Sequence, residues 1–386
     1  MANTLTNLIP DAYRALDVVS RELSGFIPSV QLDPSSEAIA LNQTIRIPVA
    51  PANSAGKNIT PAMAFPTIAD QTIANKSHSL AKSRAFPFSW SQEESKSMDV
   101  GPGYLNLRQQ QIAQAIRAAV NEIEVDIAVA AKNGASRAIG TTAGTAPVLA
   151  DWAGAKKILD DNGAPMSDRS SVFNTTAGVA LRGTSNLYKV NEAADGGALI
   201  RQGILGNLYG FQLRESAQIQ STTAGTMASA TSTSAAFTVG QTVIPLAAAG
   251  TGVVAAGDII TFANDTNKYV VSAVSFAGAN PDTGDTITLA EPGLRVAQGV
   301  ATRAITVFAT AARNTAFSRN AILLSTRLPA SSPDDLAIDR QVITDPNTGI
   351  SFELAMYPGY RMVHYEIGVV WGVTVIKPEH LAIIIG

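Results

Sequence analysis

The 386-residue chain has no cysteine. That one absence excludes disulfides, thiolate metal centres and cysteine nucleophiles together. Histidine is nearly as scarce, at three residues, His78, His364 and His380. His380 follows Glu379, but no second histidine lies four residues away, so no zinc-protease spacing exists. Charge is thin as well. Charged residues make up 15% of the chain, and 28 basic against 31 acidic residues give a net charge of −3. Affinity built on neutralising phosphates needs a basic excess, so tight nucleic-acid binding is not expected. Long hydrophobic runs are also missing. The most apolar stretch, 245–263, is broken by Gly250, Gly252, Gly257 and Asp258 and does not read as a membrane span. At the N-terminus Asp11, Arg14 and Asp17 interrupt any apolar run, so no secretory signal is predicted and the expectation is a protein made in a reducing cytoplasm.

What the chain does have is length and grease. At roughly 150 residues per domain its length suggests two or three structural units. A mean hydropathy of +0.13 is apolar for a free monomer, which predicts surface covered by the chain's own core or by copies of itself. A first helical pattern runs over 10–24 and stops at Gly25 and Pro28. From 29 to 104 recurring prolines exclude long helices. Two runs there alternate as strands do: 44–49, and 84–90, whose face carries Phe86, Phe88 and Trp90. An isolated hairpin is not stable in water. The expectation is therefore a long arm whose aromatic face docks on a neighbouring chain.

The strongest helical pattern covers 105–132, with Ile112, Ile116, Val120, Ile123, Ile127 and Ala130 on one stripe and Arg117, Glu124 and Asp126 off it. Asn133-Gly134 supplies the stop, and the helix is about 40 Å long. Residues 135–218 read as mixed α/β, with a short helix from Asp151 as N-cap, a buried strand at 171–175 and a second short helix at 178–186. From 219 to 308 the texture changes to short β runs separated by turns. This block has eight charged residues, well below the chain's average density, and reads as an inserted small barrel or sandwich. At the C-terminus Val363, Tyr365, Ile367, Val369, Trp371, Val373 and Val375 alternate with polar residues or glycine. That is a strand of about 50 Å, two to three times the usual length. Only the 105–132 helix is long enough to cover its apolar face.

No catalytic constellation, metal site or cofactor site emerges. The adjacent carboxylates Glu93-Glu94, Asp160-Asp161 and Asp334-Asp335 point apart or sit at helix ends. Gly101-Pro102-Gly103 and Gly56-Lys57 complete no phosphate loop. Asp265 and Asp282-Thr283-Gly284-Asp285 match no complete calcium loop. Basic residues of the arm (Arg46, Lys57, Lys76, Lys82, Arg84, Lys96) are mixed with Asp70, Glu93, Glu94 and Asp99, which suits ion pairs between subunits. The expected intersubunit contacts are Arg46, Lys82, Arg84, Phe86, Phe88, Trp90, Glu93 and Glu94. On that reading, replacing the three aromatics by serine blocks assembly and spares the monomer.

This order of parts resembles the major capsid (coat) protein of tailed double-stranded-DNA bacteriophages, and specifically the short-tailed-phage coat family with an extra β-barrel. The resemblance is carried by 105–131, by Trp152–Leu159 with its Ala164-Pro165 turn, and by Gly210–Ser216. Gly257–Ile260, Asp285–Leu289 and Ile367–Pro378 add to it. It implies an α+β capsid fold with an N-terminal arm (1–40) and an extended loop (41–104). A peripheral domain (105–134 and 350–386), an axial domain (135–218 and 309–349) and an inserted β-barrel (219–308) complete it. The implied role is structural and not enzymatic: an icosahedral shell around packaged DNA, built from hexamers and pentamers of this chain in the host cytoplasm. The implied partners are a scaffolding protein, a portal and, outside the shell, a decoration or cement protein. DNA is enclosed without specific binding and no membrane is involved. Bacterial encapsulin shells share the fold and are the alternative, with a β-rich binding module a weaker one.

Overall fold

The computed structural model describes residues 22–49, 73–98, 103–140, 144–184, 187, 202–331 and 336–386. Most of the expected helix over 10–24, the tip of the extended loop with Lys57 and Asp70, the end of the second short helix, Asp99 and Asp334-Asp335 lie outside them.

The long helix spans Gly103–Gly134. Ile112, Ile116, Val120, Ile123 and Ile127 are buried along one stripe, and the stripe is completed by Ala131, not the half-buried Ala130. Glu124, expected off the stripe, is 1% exposed. Helical geometry puts it only roughly 40° around from Val120, on the flank of the same face. The N-terminal segment covers that flank. The Glu124 carboxylate accepts the backbone N–H groups of Gly25 (2.6 Å), Phe26 (2.7 Å) and Ile27 (3.1 Å). Gly25 has no room for a side chain: a Cβ there would lie 2.8 Å from the Glu215 carbonyl oxygen and 2.8 Å from Val172. One turn back along the helix, Arg117 and Asn121 hold Glu22.

The C-terminal strand runs Met362–Val375. Its apolar face packs on the helix through Tyr365, Ile367, Val369 and Trp371, with Val363, Val373 and Val375 partly buried beside them. Strand Lys82–Ser91 lies along one edge in antiparallel register, Trp90 opposite Val363 and Phe86 opposite Ile367. The other edge is shared end to end by Ser351–Gly359 and Ile322–Pro329. Asp339–Thr344 extends this six-stranded sheet on one side and Gln31–Ile39, parallel to Ile322–Pro329, on the other.

A second, twelve-stranded sheet has the central order Arg137–Ile139, Leu381–Ile385, Ala311–Ser318, Arg169–Phe173, Phe211–Glu215. Two short helices cover one face, burying Trp152, Leu159, Ala177 and Leu181 against Phe173 and Ile384. The first of them is Leu149–Asp161 with Val148 as its N-cap, so Asp151 is its third residue and not its cap; its carboxylate reaches back to the Val148 N–H (2.9 Å). The second is Thr175–Arg182, capped by the Asn174 side chain.

The 219–308 block has a core of its own, built on Phe237, Ile244, Leu246, Ile260, Phe262, Tyr269, Val271, Ile287 and Leu289. Its strands pair in the order Val243–Pro245, Thr286–Leu289, Lys268–Ser275, Ile259–Phe262, Ile305–Val307. Single bridges from Thr231 to Ala304 and from Ser232 to Leu246 link the two ends of that series. The block is not detached. Lys268 and Tyr269 pair with Ala138 and Arg137 of the central sheet, and Ile259 and Val270 belong to the core under the long helix.

Candidate assembly interface

The aromatic stripe of strand 82–91 is the first sequence expectation to be corrected. Trp90 is 7% exposed, packs in the core of the long helix and donates its indole N–H to Gln111 (2.6 Å). Phe88 stacks on Tyr365 at 5.2 Å between ring centroids, and Phe86 packs beside it. A strand whose alternation matches the pleat of its own sheet has its apolar face taken by that sheet. Trp90 is therefore internal, and Phe86 and Phe88 are partly taken up by the subunit's own core.

The charged residues of the same strand are also satisfied within the chain. Lys82 bonds Asp126 (2.7 Å) and lies over the Trp371 ring. Arg84 pairs with Glu122 (2.9 Å). Asp126 holds two elements at once, because its other oxygen accepts the Trp371 indole N–H (2.8 Å). Asp126→Ala leaves that N–H without a partner and leaves Lys82, among carboxylates, only its longer contact with Glu122 (3.7 Å). The expected loss is about 1–3 kcal/mol of subunit stability in a urea titration. Glu94 closes a reciprocal cap with Ser91, accepting its N–H (2.8 Å) while the Ser91 hydroxyl accepts the Glu94 N–H (3.2 Å). Hydrogen bonds from Ser91 hold the Glu94 carboxyl below its ordinary value. Of the eight expected contacts, Arg46 and Glu93 are the two that stand exposed with no partner assigned among the described residues.

The base of the extended loop is tied down too. Thr44–Val49 pairs with Ala74–Ser79, a strand not expected from the sequence, and not with the 84–90 run of the same arm. His78 is fully buried in that pair of strands, hydrogen-bonded to Thr374 (2.7 Å), and its burial pushes the imidazole below its usual range. Lys76 reaches the Ile376 carbonyl (2.7 Å) and Glu291 (3.3 Å) across a cavity of about 590 Å³ between hairpin, helix end and the 219–308 block.

The acidic turns serve the backbone. Asp265 accepts from the Asn267 N–H (2.9 Å) and the Tyr269 hydroxyl (2.7 Å). Asp285 accepts the N–H groups of Ala277 and Asp282, both at 2.9 Å. Asp160 bridges Lys156 and Arg169, each at 2.7 Å, and these bonds lower its carboxyl. Among the described residues no group of three His, Asp or Glu side chains is placed to hold a metal, and no helix is long and apolar enough to cross a membrane.

Sequence reasoning missed the apolar residues that stand at the extremities. Tyr360, at the tip of the hairpin between Ser351–Gly359 and Met362–Val375, is 89% exposed. Leu336, Ile338 and Val342 are exposed along the edge strand Asp339–Thr344 and its approach, and Val300 protrudes from the 219–308 block. A weak signal existed at the edge strand: Val342 and Ile343 are adjacent, so only one of them can face the core.

No protein-family profile matches the chain. No curated protein matches it either. Solved structures do. The capsid structure of the cyanophage P-SCSP1u is similar over 95% of this chain and 89% of that one, with 12% identity and a TM-score of 0.50. The capsid of a native GTA particle covers 95% of this chain and 91% of its own, at 10% identity and a TM-score of 0.49. For the structure from Mycobacterium phage Che8 the coverage is 89% and 84%, the identity 12% and the TM-score 0.46. A fold preserved across nearly the full length at such low identity is held by topology and core pattern, not by a shared motif. The chain has the phage major-capsid fold, the architecture its order of parts resembles.

Proposed function

We propose that this chain is the structural subunit of a phage shell, assembling with its own copies as hexamers and pentamers into an icosahedral container for packaged double-stranded DNA. The observation that carries the proposal is the likeness to the cyanophage capsid structure along 95% of the chain. In this reading the long helix with the six-stranded sheet is the peripheral domain, while the last strand, Leu381–Ile385, expected there, belongs to the other sheet. The twelve-stranded sheet with its two covering helices is the axial domain, meeting its copies around the five- and six-fold positions. The 219–308 block is an inserted β-barrel, a reading supported by its separate core and by the bridges that link its end strands. The near-neutral charge fits a wall that encloses DNA without gripping it. A scaffolding protein, a portal and an outer decoration protein are the proposed partners, and assembly takes place in the host cytoplasm.

Electron microscopy of the expressed protein, with and without a co-expressed scaffold, tests this. Closed shells or polyheads support it, and a monodisperse small oligomer rejects it. Shells that load an enzyme cargo in place of DNA favour the encapsulin-like alternative.

The interface residues are proposed to be the exposed apolar tips and not the aromatic stripe of strand 82–91. Tyr360→Ser is expected to change subunit stability by no more than about 0.5 kcal/mol while lowering shell yield in the same preparations. Unimpaired shells would show that this tip is not a contact.

A further inference from the structure

Every residue of the strand Ala311–Ser318 is buried. Side chains alternate along it, so Arg313, Thr315 and Phe317 share the face covered by the long helix. Arg313 is 3% exposed, and its Nε, Nη1 and Nη2 have no hydrogen-bond partner. The Thr315 hydroxyl, on the same face of a fully buried residue, has none either. A guanidinium is always charged and presents five N–H donors in a rigid fork. Left without acceptors in the interior, such a charge is among the most destabilising features a fold can carry.

The neighbouring groups do not supply the acceptors. Asp258 is the nearby carboxylate that attracts Arg313. Its oxygens are committed to the N–H groups of Gly225 (3.1 and 3.2 Å) and Ala255 (2.7 Å). Lys132, in the last turn of the long helix, brings a second positive charge, and burial together with Arg313 presses its ammonium below the ordinary value. Asn133 contributes one unpartnered acceptor, its Oδ1, which lies 2.4 Å from where a Cβ on Gly257 would sit. Against that single oxygen stand three guanidinium nitrogens and a hydroxyl. The junction of helix end, 219–308 block and central sheet is thus left with a surplus of donors and of positive charge.

We propose that this junction binds one small inorganic oxyanion, phosphate or sulfate, held by the Arg313 fork and the Thr315 hydroxyl, with Lys132 balancing its charge. Two bidentate N–H bonds and a hydroxyl donor match the oxygens of a tetrahedral anion. The bound anion ties the three units meeting there. The proposal is independent of the shell reading, since it concerns the interior of one subunit.

The test uses the full-length protein, unfolded and refolded in chloride and then in increasing phosphate at constant ionic strength. Wild type is expected to show a saturable rise of the thermal midpoint with phosphate. Arg313→Met, an apolar side chain of similar length, is expected to fold and to show no saturable rise. Thr315→Val is expected to raise the half-saturating concentration about tenfold, the loss of one charge-assisted bond. No saturable rise in wild type, or the same rise in Arg313→Met, overturns the proposal: the first means that water alone serves the fork, the second that phosphate acts only by exclusion from the surface. Should Arg313→Met fail to fold, equilibrium dialysis of radiolabelled phosphate against refolded wild type decides. One bound anion per chain supports the site and none removes it.

Discussion

Replacing Trp90 by serine is expected to lower the stability of the isolated subunit by about 3–5 kcal/mol, the usual cost of emptying a large aromatic site in a core. Trp90 is almost fully buried against the long helix, and its indole N–H is used by Gln111 at 2.6 Å. The substitution therefore opens a cavity, removes a hydrogen bond and leaves the Gln111 oxygen without its donor. Phe86→Ser and Phe88→Ser are expected to cost less, because both rings are only partly buried. A urea titration followed by far-ultraviolet circular dichroism reads the loss directly, with Asp126→Ala, on the helix that packs against the same strand pair, as a milder reference. A subunit whose transition stays within about 0.5 kcal/mol of wild type would return the stripe to the outer surface and restore its role as an arm between chains.

That expectation reverses what alternation alone implies, and the reversal marks where sequence reading ends. The pattern of 84–90 locates a strand and its apolar face, and both are present. It does not say which sheet receives the face. The partner, Met362–Val375, lies some 280 positions away by sequence number, and its own alternation announces only that one side is apolar. The long helix and the long strand were legible because each carries a sustained period, and a helix of that length has only one equally long surface to cover. The β texture of 219–308 was legible from its turn residues, whereas the two short helices were placed only approximately: Asp151 is not the cap of the first, and the second starts at Thr175 and not at 178. The contacts missed are those in which a charged residue serves a distant backbone. Glu124 looks like a solvated helix position, and only the fold-back of 25–27 buries it. Asp265 and Asp285 look like cation-turn residues until the groups that donate to them are in place. Exposed tips such as Tyr360 left no periodic trace, because a hairpin tip interrupts the pattern on both sides.

The internal use of strand 82–91 also narrows what holds a shell together. With Lys82, Arg84, Phe86, Phe88 and Trp90 bonded or packed within the subunit, strand 82–91 is an integral part of the six-stranded sheet. A strand already ordered within its own subunit lowers the entropy lost when copies meet.

A loss as large as that at Trp90 is expected at Glu124. Glu124→Leu removes the acceptor of three consecutive N–H groups (Gly25, Phe26, Ile27) and of the buried Ser216 hydroxyl. At about 1–3 kcal/mol for each buried group left unpaired, with partial relaxation, the loss is about 3–5 kcal/mol. Glu124→Gln keeps one oxygen for Gly25 and Phe26 but turns an amide N–H₂ toward the Ile27 N–H, so its cost is expected to be about 1–3 kcal/mol. The pH dependence separates the carboxylate from mere packing. Burial, the strongest influence, lifts the Glu124 carboxyl above its ordinary value, and the N–H bonds and Ser216 pull it back only in part. A native value above the unfolded one means that, between the two, the folded chain holds a proton the unfolded chain has released. Stability contributed by Glu124 therefore falls as pH rises through that window. Glu22 has the opposite sign: hydrogen bonds from Arg117 hold it at about 2, so its contribution is present above the ordinary glutamate value of 4.5 and is lost as pH falls toward 2. Urea midpoints measured across an acid series are expected to lose the gain on approach to 4.5 in Glu124→Gln, and to lose the fall below it in Glu22→Gln. A Glu124→Leu subunit within about 1 kcal/mol of wild type, with an unchanged pH profile, would show that the turn at 25–27 is held by its apolar neighbours Phe26 and Phe317 and not by the carboxylate.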